Sequence, residues 1–332
     1  ELFPFPLDDF QLEAIDALNQ GHSVVVSAPT GSGKTLVGEY AIHRAMAHGQ
    51  KVFYTTPLKA LSNQKLRDFR EQFGAENVGL MTGDLSVNRD ASIVVMTTEI
   101  FRNMLYAEAD EHDDPLADVE AVVLDECHYM NDSQRGTVWE ESIIHSPPPV
   151  QLVALSATVA NAGQLTDWIE KVHGPTRLVL SDFRPVPLHF GFCSAKGLHP
   201  LLNEQGTGLH PNCKVWRAPK GHKRKGRSPR PPQPEPPPIS FVVAQMAERD
   251  MLPAIYFIFS RRGCDKAVRD LGVQCLVSDA EQARIRERLK AYAAANPEAV
   301  RDGVHADALM RGIAAHHAGV LPAWKELIEE LF

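Results

Sequence analysis

Two short stretches carry side chains whose types and spacing could do chemistry. Residues 28–35 read APTGSGKT, and residues 125–128 read DECH. In the first, Gly31 and Gly33 let backbone N–H groups turn inward, so that a loop at a helix start becomes a nest for an anion. Lys34 is placed to reach the terminal phosphates of a bound nucleotide and Thr35 to put its hydroxyl on Mg2+; Thr30 and Ser32 complete the cradle. The match to the phosphate-binding loop pattern is full except at Ala28, where a glycine is usual. In the second stretch, VVLDE puts Asp125 at the carboxyl end of an apolar run, where it would orient Mg2+ through water. Glu126, beside it, would position and polarise the attacking water.

Two other chemistries compete for DECH. A Cys127–His128 nucleophile pair fails on an extended chain, because neighbouring side chains point to opposite sides while a nucleophile must touch its base. Zinc held by Cys127, His128 and a carboxylate lacks a second ligand pair, and the adjacent His316 and His317 have no carboxylate or cysteine support in sequence. Cys127 reads as a small packing residue. His128 reads either as a helix-start residue or as a link from the nucleotide site to something that moves.

The elements that must hold these residues alternate. HSVVVSAP is strand then loop, and LVGEYAIHRAMAHG is a helix. KVFYTTP is a strand and LKALSNQKLRDFREQFG a helix; SIVVMTT is a strand and EIFRNMLYAEA a helix. VEAVVLDE and VQLVALSAT are further strands, with AGQLTDWIEKV helical after them. Near-continuous apolar strands separated by helices predict α/β architecture, a parallel sheet covered on both faces, with ligands at the carboxyl ends of the strands. After Pro187 the pattern breaks. Lys214 to Arg230 holds eight Lys/Arg and no acid, followed by PPQPEPPP. That segment reads as a disordered surface insertion or as a basic arm touching nucleic acid or a partner. ISFVVAQMAERD, RRGCDKAVRDLG, DAEQARIRERLKAYAAAN and PAWKELIEELF read as helices, and LPAIYFIFS as a buried strand. The expected domains are 1–186, a linker over 187–238, and 239–332 as the opening of a second α/β unit.

Composition sets bounds. The chain has 332 residues, 44% hydrophobic and 23% charged, enough for two cores. A formal net charge of −8 opposes bulk electrostatic binding of nucleic acid but leaves room for a local groove. The five cysteines form no C-x-x-C pair, which argues against a disulfide framework and suits a reducing compartment. No run of 18 apolar residues and no signal pattern occur, so no membrane is expected as a partner, and the cytoplasm or an organelle stroma or matrix is the expected location. The start, ELFPFPLDDF, has no Met and reads as an excised piece.

FPLDDFQ (5–11), the phosphate loop, TPLKALSNQK (56–65), TGD (82–84), TTE (97–99), DECH and SAT (156–158) follow in that order. This set resembles superfamily-2 helicases of the DExH type, whose core is a P-loop, RecA-like domain followed by a second one. LKALSNQKLRDF, MTTEIFRNMLY, RGTVWEE and RPVPL resemble the superkiller/exosome-associated (Ski-two-like) RNA helicases. Related DNA repair helicases match less well around the last two. The resemblance covers nearly the whole chain outside the basic insertion.

The resemblance implies roles. Gln11 would read the adenine edge of ATP with Phe5 stacking nearby. Asp125 and Glu126 would run hydrolysis with Lys34, and Mg2+ would be the metal of Thr35 and Asp125. His128, Ser156 and Thr158 would couple hydrolysis to domain movement. Pro57, Lys59, Gly83, Thr97 and Thr98 would contact the nucleic-acid backbone, with little sequence preference. In the second unit IYFIFSRRGCD and AAHHAGVLP resemble the segments that grip the strand from that side, which adds Ser260, His317 and Gly319. The implied partner is single-stranded or 3'-tailed RNA within an RNA-decay or processing complex, a DNA-directed helicase being the alternative. The family's threonine-rich coupling motif and terminal QRxGRxGR motif do not occur in the sequence. The expectation is therefore a chain cut within the second domain, able to bind nucleotide, poor at turnover and unable to unwind. A nucleotide- or RNA-binding fragment without turnover is the third reading.

Overall fold

The computed structural model describes residues 2–106, 116–131, 136–213, 236–296 and 303–332. The chain divides into two compact units, 1–188 and 189–332.

The first unit is wound from α1 (Asp9–Asn19), β1 (Ser23–Ser27), α2 (Thr35–His48), β2 (Lys51–Thr56), α3 (Lys59–Phe73), β3 (Val78–Met81), β4 (Ser86–Val87), β5 (Ile93–Thr97) and α4 (Thr98–Tyr106). It continues with β6 (Val119–Leu124), α5 (Gly136–His145), β7 (Gln151–Ser156), α6 (Ala162–Val172) and β8 (Thr176–Leu180). The strands form one sheet in the order β4-β3-β5-β2-β6-β7-β1-β8. Every pairing is parallel except β3 with β4.

The apolar runs explain why the sheet is buried on both sides. Successive side chains of a strand point to opposite faces. Val24, Val26, Val52, Tyr54, Val95, Val123 and Leu155 pack under α1, α2 and α3, together with Phe10, Ile42 and Phe69. Val25, Phe53, Val94, Val122, Leu124 and Leu152 pack under α4, α5 and α6, with Phe101, Trp139 and Ile169. A single polar residue at any of these central positions would face a core, which is why the runs read as unbroken Val and Leu. The registers bring strand ends level: Ser27 lies opposite Ser156, Thr56 opposite Thr97, and Thr55 opposite Leu124. The carboxyl ends of β1, β2, β5, β6 and β7 thus share one edge of the sheet.

The second unit is different in kind. It contains the antiparallel hairpin β9 (Gly191–Ser194) and β10 (Gly197–Pro200), then α7 (Ile239–Ala247), α8 (Arg261–Asp270), α9 (Asp279–Ala295), α10 (Gly303–Leu309) and α11 (Pro322–Leu331). Two small cores hold it, one around Val268, Leu271 and Ile313, the other around Ile285, Tyr292, Trp324 and Leu327.

The sequence pattern predicts a buried strand over LPAIYFIFS, and here the structure corrects it. No strand forms there, and Ile255, Tyr256, Phe257 and Phe259 are 62–104% exposed. β-propensity alone does not make a strand, which needs a neighbour for its N–H and C=O groups. Among the described residues nothing pairs with this segment. The hairpin at 191–200 lies in the stretch read as linker. The basic, Pro-rich stretch from 214 to 235 and the tail of the predicted helix beyond Tyr106 lie outside the described residues.

Candidate functional site: a phosphate loop joined to a carboxylate pair

The loop after β1 has the geometry that its sequence calls for. Gly31 and Gly33 adopt φ of +81° and +83°, a region that favours glycine because a Cβ would crowd the backbone. At Gly33 an added Cβ would also come within 2.9 Å of the Gln11 side chain. The loop delivers Lys34 to the N-cap position of α2 and Thr35 to its first turn. Lys34 is 7% exposed, and no ion pair or hydrogen bond of its ammonium is found among the described residues. Ser32 is buried as well, and its Oγ has no partner. A buried hydroxyl without a partner, beside a largely buried lysine at a helix N-terminus, suits an anion at this loop. The residues therefore fit a nucleotide phosphate. Thr30 is exposed beside them.

Gln11 in α1 closes the loop from the side. Its Nε2 donates to Gly33 O at 3.0 Å, and its Oε1 accepts from the Asp8 N–H at 2.9 Å. Each end of the amide keeps one further hydrogen-bonding direction, the capacity that reading a base edge requires. Phe5, 54% exposed, lies beside Phe3 with ring centres 6.2 Å apart.

Asp125 follows β6 and stays in the ladder, its N–H donating to Thr55 O at 3.0 Å. Its side chain is held at both oxygens: Oδ2 accepts from the Tyr54 hydroxyl at 2.8 Å and Oδ1 from the Glu126 N–H at 2.9 Å. Glu126 then takes φ of +52°, a strained conformation for a side-chain-bearing residue, of the sort found at functional sites. The kink turns its carboxylate to His128, 3.2 Å from Nδ1. The same Nδ1 lies 3.4 Å from Ala157 N, so it either accepts from that N–H or, when protonated, donates to Glu126.

The stretch from Cys127 to Asn131 is a 3-10 turn, not extended chain. The geometric objection to a Cys127–His128 pair therefore rested on a wrong local structure. What disables Cys127 is its surroundings. It is 1% exposed, and burial pushes its thiol up to about 12, with Asp125 and Glu126 adding to the rise against a lowering hydrogen bond from Ser156. A nucleophilic cysteine needs the opposite shift.

SAT follows β7 and ties the two stretches together. Ser27 at the end of β1 donates through Oγ to Ala157 O and accepts from the Val159 N–H, each at 3.4 Å, and the Ala28 N–H reaches Ser156 O at 3.2 Å. Ser156 is buried and donates to Ala157 O at 2.8 Å, and Thr158 is exposed. A chain of contacts thus runs from the phosphate loop through Ser27 and Ala157 to His128 and Glu126. The sequence reading missed Ser27 and Tyr54. The available signals were a hydroxyl directly before the loop and a polar-tipped ring inside an otherwise apolar strand.

The residues expected to touch nucleic acid fall in two groups. Pro57, Lys59, Thr97 and Thr98 lie at the ends of β2 and β5 and at the starts of α3 and α4. Gly83 lies in the exposed turn between β3 and β4. Lys59 Nζ pairs with Asp84 at 2.9 Å, which brings the turn to the start of α3. Thr98 is fully buried and its hydroxyl donates to Thr56 O at 3.2 Å, so in this conformation it offers no surface to a strand and instead ties the start of α4 to the end of β2. In the second unit Ser260 caps α8, its Oγ accepting from the Gly263 N–H at 3.2 Å. His317 Nδ1 accepts from the Gly319 N–H at 3.0 Å, which leaves Nε2 to donate to Asp265 at 3.0 Å. That bond is the largest cause holding the Asp265 carboxyl below its usual range.

Residues 8–165 match the DEAD/DEAH box helicase family, and they contain the loop, the carboxylate pair and SAT. Residues 8–165 are a DEAD/DEAH box helicase domain. The whole chain is 45% identical to "DExH-box ATP-dependent RNA helicase DExH15 chloroplastic" of Arabidopsis thaliana, over 100% of this chain and 31% of that protein. It is 44% identical to "Probable helicase HelY" of Mycobacterium tuberculosis, over 99% of this chain and 38% of that one. It is 39% identical to "Exosome RNA helicase MTR4" of Homo sapiens, over 99% and 32%. The chain is similar to these helicases along its whole length and spans about a third of theirs.

Proposed function

We propose that this chain is the ATP-hydrolysing core of a helicase that acts on single-stranded RNA. The observation that carries the reading is the run of contacts from Ser27, at the base of the phosphate loop, through Ala157 to His128, whose Nδ1 has Ala157 N and the Glu126 carboxylate as alternative partners. A nucleotide-binding site alone has no need of that path. A motor does, because the state of the γ-phosphate must be felt elsewhere.

In this reading Lys34 and the N–H groups of the loop neutralise and orient the phosphates, and Gln11 and Phe5 meet the base. Thr35 and Asp125 would hold Mg2+, which supplies charge neutralisation across the phosphates. Glu126 polarises the attacking water and accepts its proton at a carboxylate oxygen. His128, Ser156 and Thr158 pass the change on. Pro57, Lys59, Gly83 and Thr97, with Ser260, His317 and Gly319, hold the strand by its backbone, and buried Thr98 braces the end of β2. RNA is favoured over DNA because relatives sharing the whole chain are named as RNA helicases, and the exosome helicase among them favours a role in RNA processing or decay. All five cysteines are free, which fits a reducing compartment. Among the described residues no helix is long and apolar enough to cross a membrane.

The test is steady-state ATP hydrolysis by the chain at low salt, alone, with single-stranded RNA and with single-stranded DNA. Stimulation by RNA well above that by DNA supports the reading, since a 2'-OH requirement marks RNA. Equal stimulation by both assigns the chain to the DNA-tolerant helicases. ATP binding with flat hydrolysis in all three conditions makes it a nucleotide-binding module.

A further inference from the structure

Tyr54 is a buried residue with a polar tip to which the motifs give no role. It lies in β2 on the face covered by α1, α2 and α3 and is 0% exposed. Its ring is clamped. Phe69 of α3 meets it edge-on with centres 5.0 Å apart, and Lys65 Nζ lies 5.4 Å over its face. On the α2 side Gly38 approaches so closely that a Cβ there would fall 3.2 Å from Tyr54 Cε2. A phenylalanine would satisfy all of this packing. The hydroxyl is the extra feature, and in an apolar core it costs free energy unless it finds an acceptor. Its acceptor is Asp125 Oδ2 at 2.8 Å.

We propose that Tyr54 is a positioning residue for the nucleotide-bound metal, acting by fixing the carboxylate of Asp125. This rests on the nucleotide reading above and adds to it. A carboxylate held at one oxygen still swings about its Cβ–Cγ bond. Asp125 is held at both, by Tyr54 from the core and by the Glu126 N–H from the kink, so its plane is set while each oxygen keeps a free lone-pair direction. The ring also rests on α2, the helix that begins with Thr35. Tyr54 therefore joins Asp125 to the α2 helix at Gly38, three residues after Thr35. Groups that orient a metal-directed ligand in this way are typically worth about 10–100-fold in metal affinity.

The test uses the full chain and reads metal binding apart from turnover. ADP affinity is measured calorimetrically in EDTA, and Mn2+ affinity of the ADP complex by electron paramagnetic resonance, for the wild type, Tyr54→Phe, Asp125→Ala and the double variant. The expected result is unchanged ADP affinity in EDTA and Mn2+ affinity weakened about 10-fold in Tyr54→Phe, with no further loss when Tyr54→Phe is added to Asp125→Ala. Unchanged Mn2+ affinity overturns the proposal. So does an equal loss of ADP affinity in EDTA, which marks packing or folding as the only role. A wild type that binds no ADP overturns the nucleotide reading itself, and this inference with it.

Discussion

At the scale of single residues, the centre is built from groups whose surroundings suppress all but one use. Cys127 stands between two acidic residues and a histidine, a setting that in sequence invites a thiol mechanism. In the fold it is a packing residue with its thiol raised to about 12. At pH 8 iodoacetamide should label exposed Cys275 and leave Cys127 unmodified until the chain unfolds, as peptide mass spectrometry would show. The linkage follows in sign. The fold favours the neutral thiol, so the Cys127 contribution to stability is complete below the ordinary thiol value. It is lost as pH climbs toward 12. Labelling of Cys127 at the rate of Cys275 in the folded chain would contradict this placement. Lys34, Thr35, Asp125 and Glu126 were legible in sequence because each occupies a fixed offset from a glycine turn or an apolar run. Tyr54 and Ser27 were not, because their roles depend on partners 71 and 130 residues away.

At the scale of elements, β1, β2, β5, β6 and β7 were readable from their apolar runs and α2, α3, α4 and α6 from their length and end signals, while α1 and α5 were not read as helices. Short β3, β4 and β8 escaped notice: each has five residues or fewer and sits toward an edge of the sheet, where burial imposes no long apolar run. LPAIYFIFS failed for the converse reason. It has the right residues for a strand, but strand formation depends on a neighbour that a linear pattern does not contain. Helix α3 shows how an element serves the site at a distance. Phe69 is 1% exposed and packs edge-on against both Tyr54 and Phe73. Phe69→Ala should cost about 3–5 kcal/mol of stability and lower the melting temperature of the first unit by about 10 °C. Because Tyr54 loses its lateral support, metal-dependent nucleotide affinity should fall even below the melting transition. Calorimetry and ADP titration with and without Mg2+ separate the two effects. A variant that melts early yet keeps its full metal dependence would show that α3 supports the sheet and not the site.

At the scale of the whole molecule, the acidic balance of −8 and the phosphate-directed site are compatible because the cationic groups that matter are placed locally. Lys34 is enclosed by the loop, and Lys59 is held at the sheet edge by Asp84. Binding through such contacts releases few counterions, so the salt dependence of RNA affinity should be shallow beside that of a basic nucleic-acid-coating protein. The relatives are about three times as long. The site makes one central claim: the phosphate loop and the carboxylate pair form a single ATP-hydrolysing centre. The most direct measurement is ATP binding and single-turnover hydrolysis, with single-stranded RNA present, for the wild type, Lys34→Ala and Glu126→Gln. The account predicts that Lys34→Ala loses binding, while Glu126→Gln keeps ATP affinity within about 3-fold and loses hydrolysis by about 100-fold or more, in line with removal of a general base. Hydrolysis surviving in Glu126→Gln at the wild-type rate, or ATP bound equally well without Lys34, would contradict it.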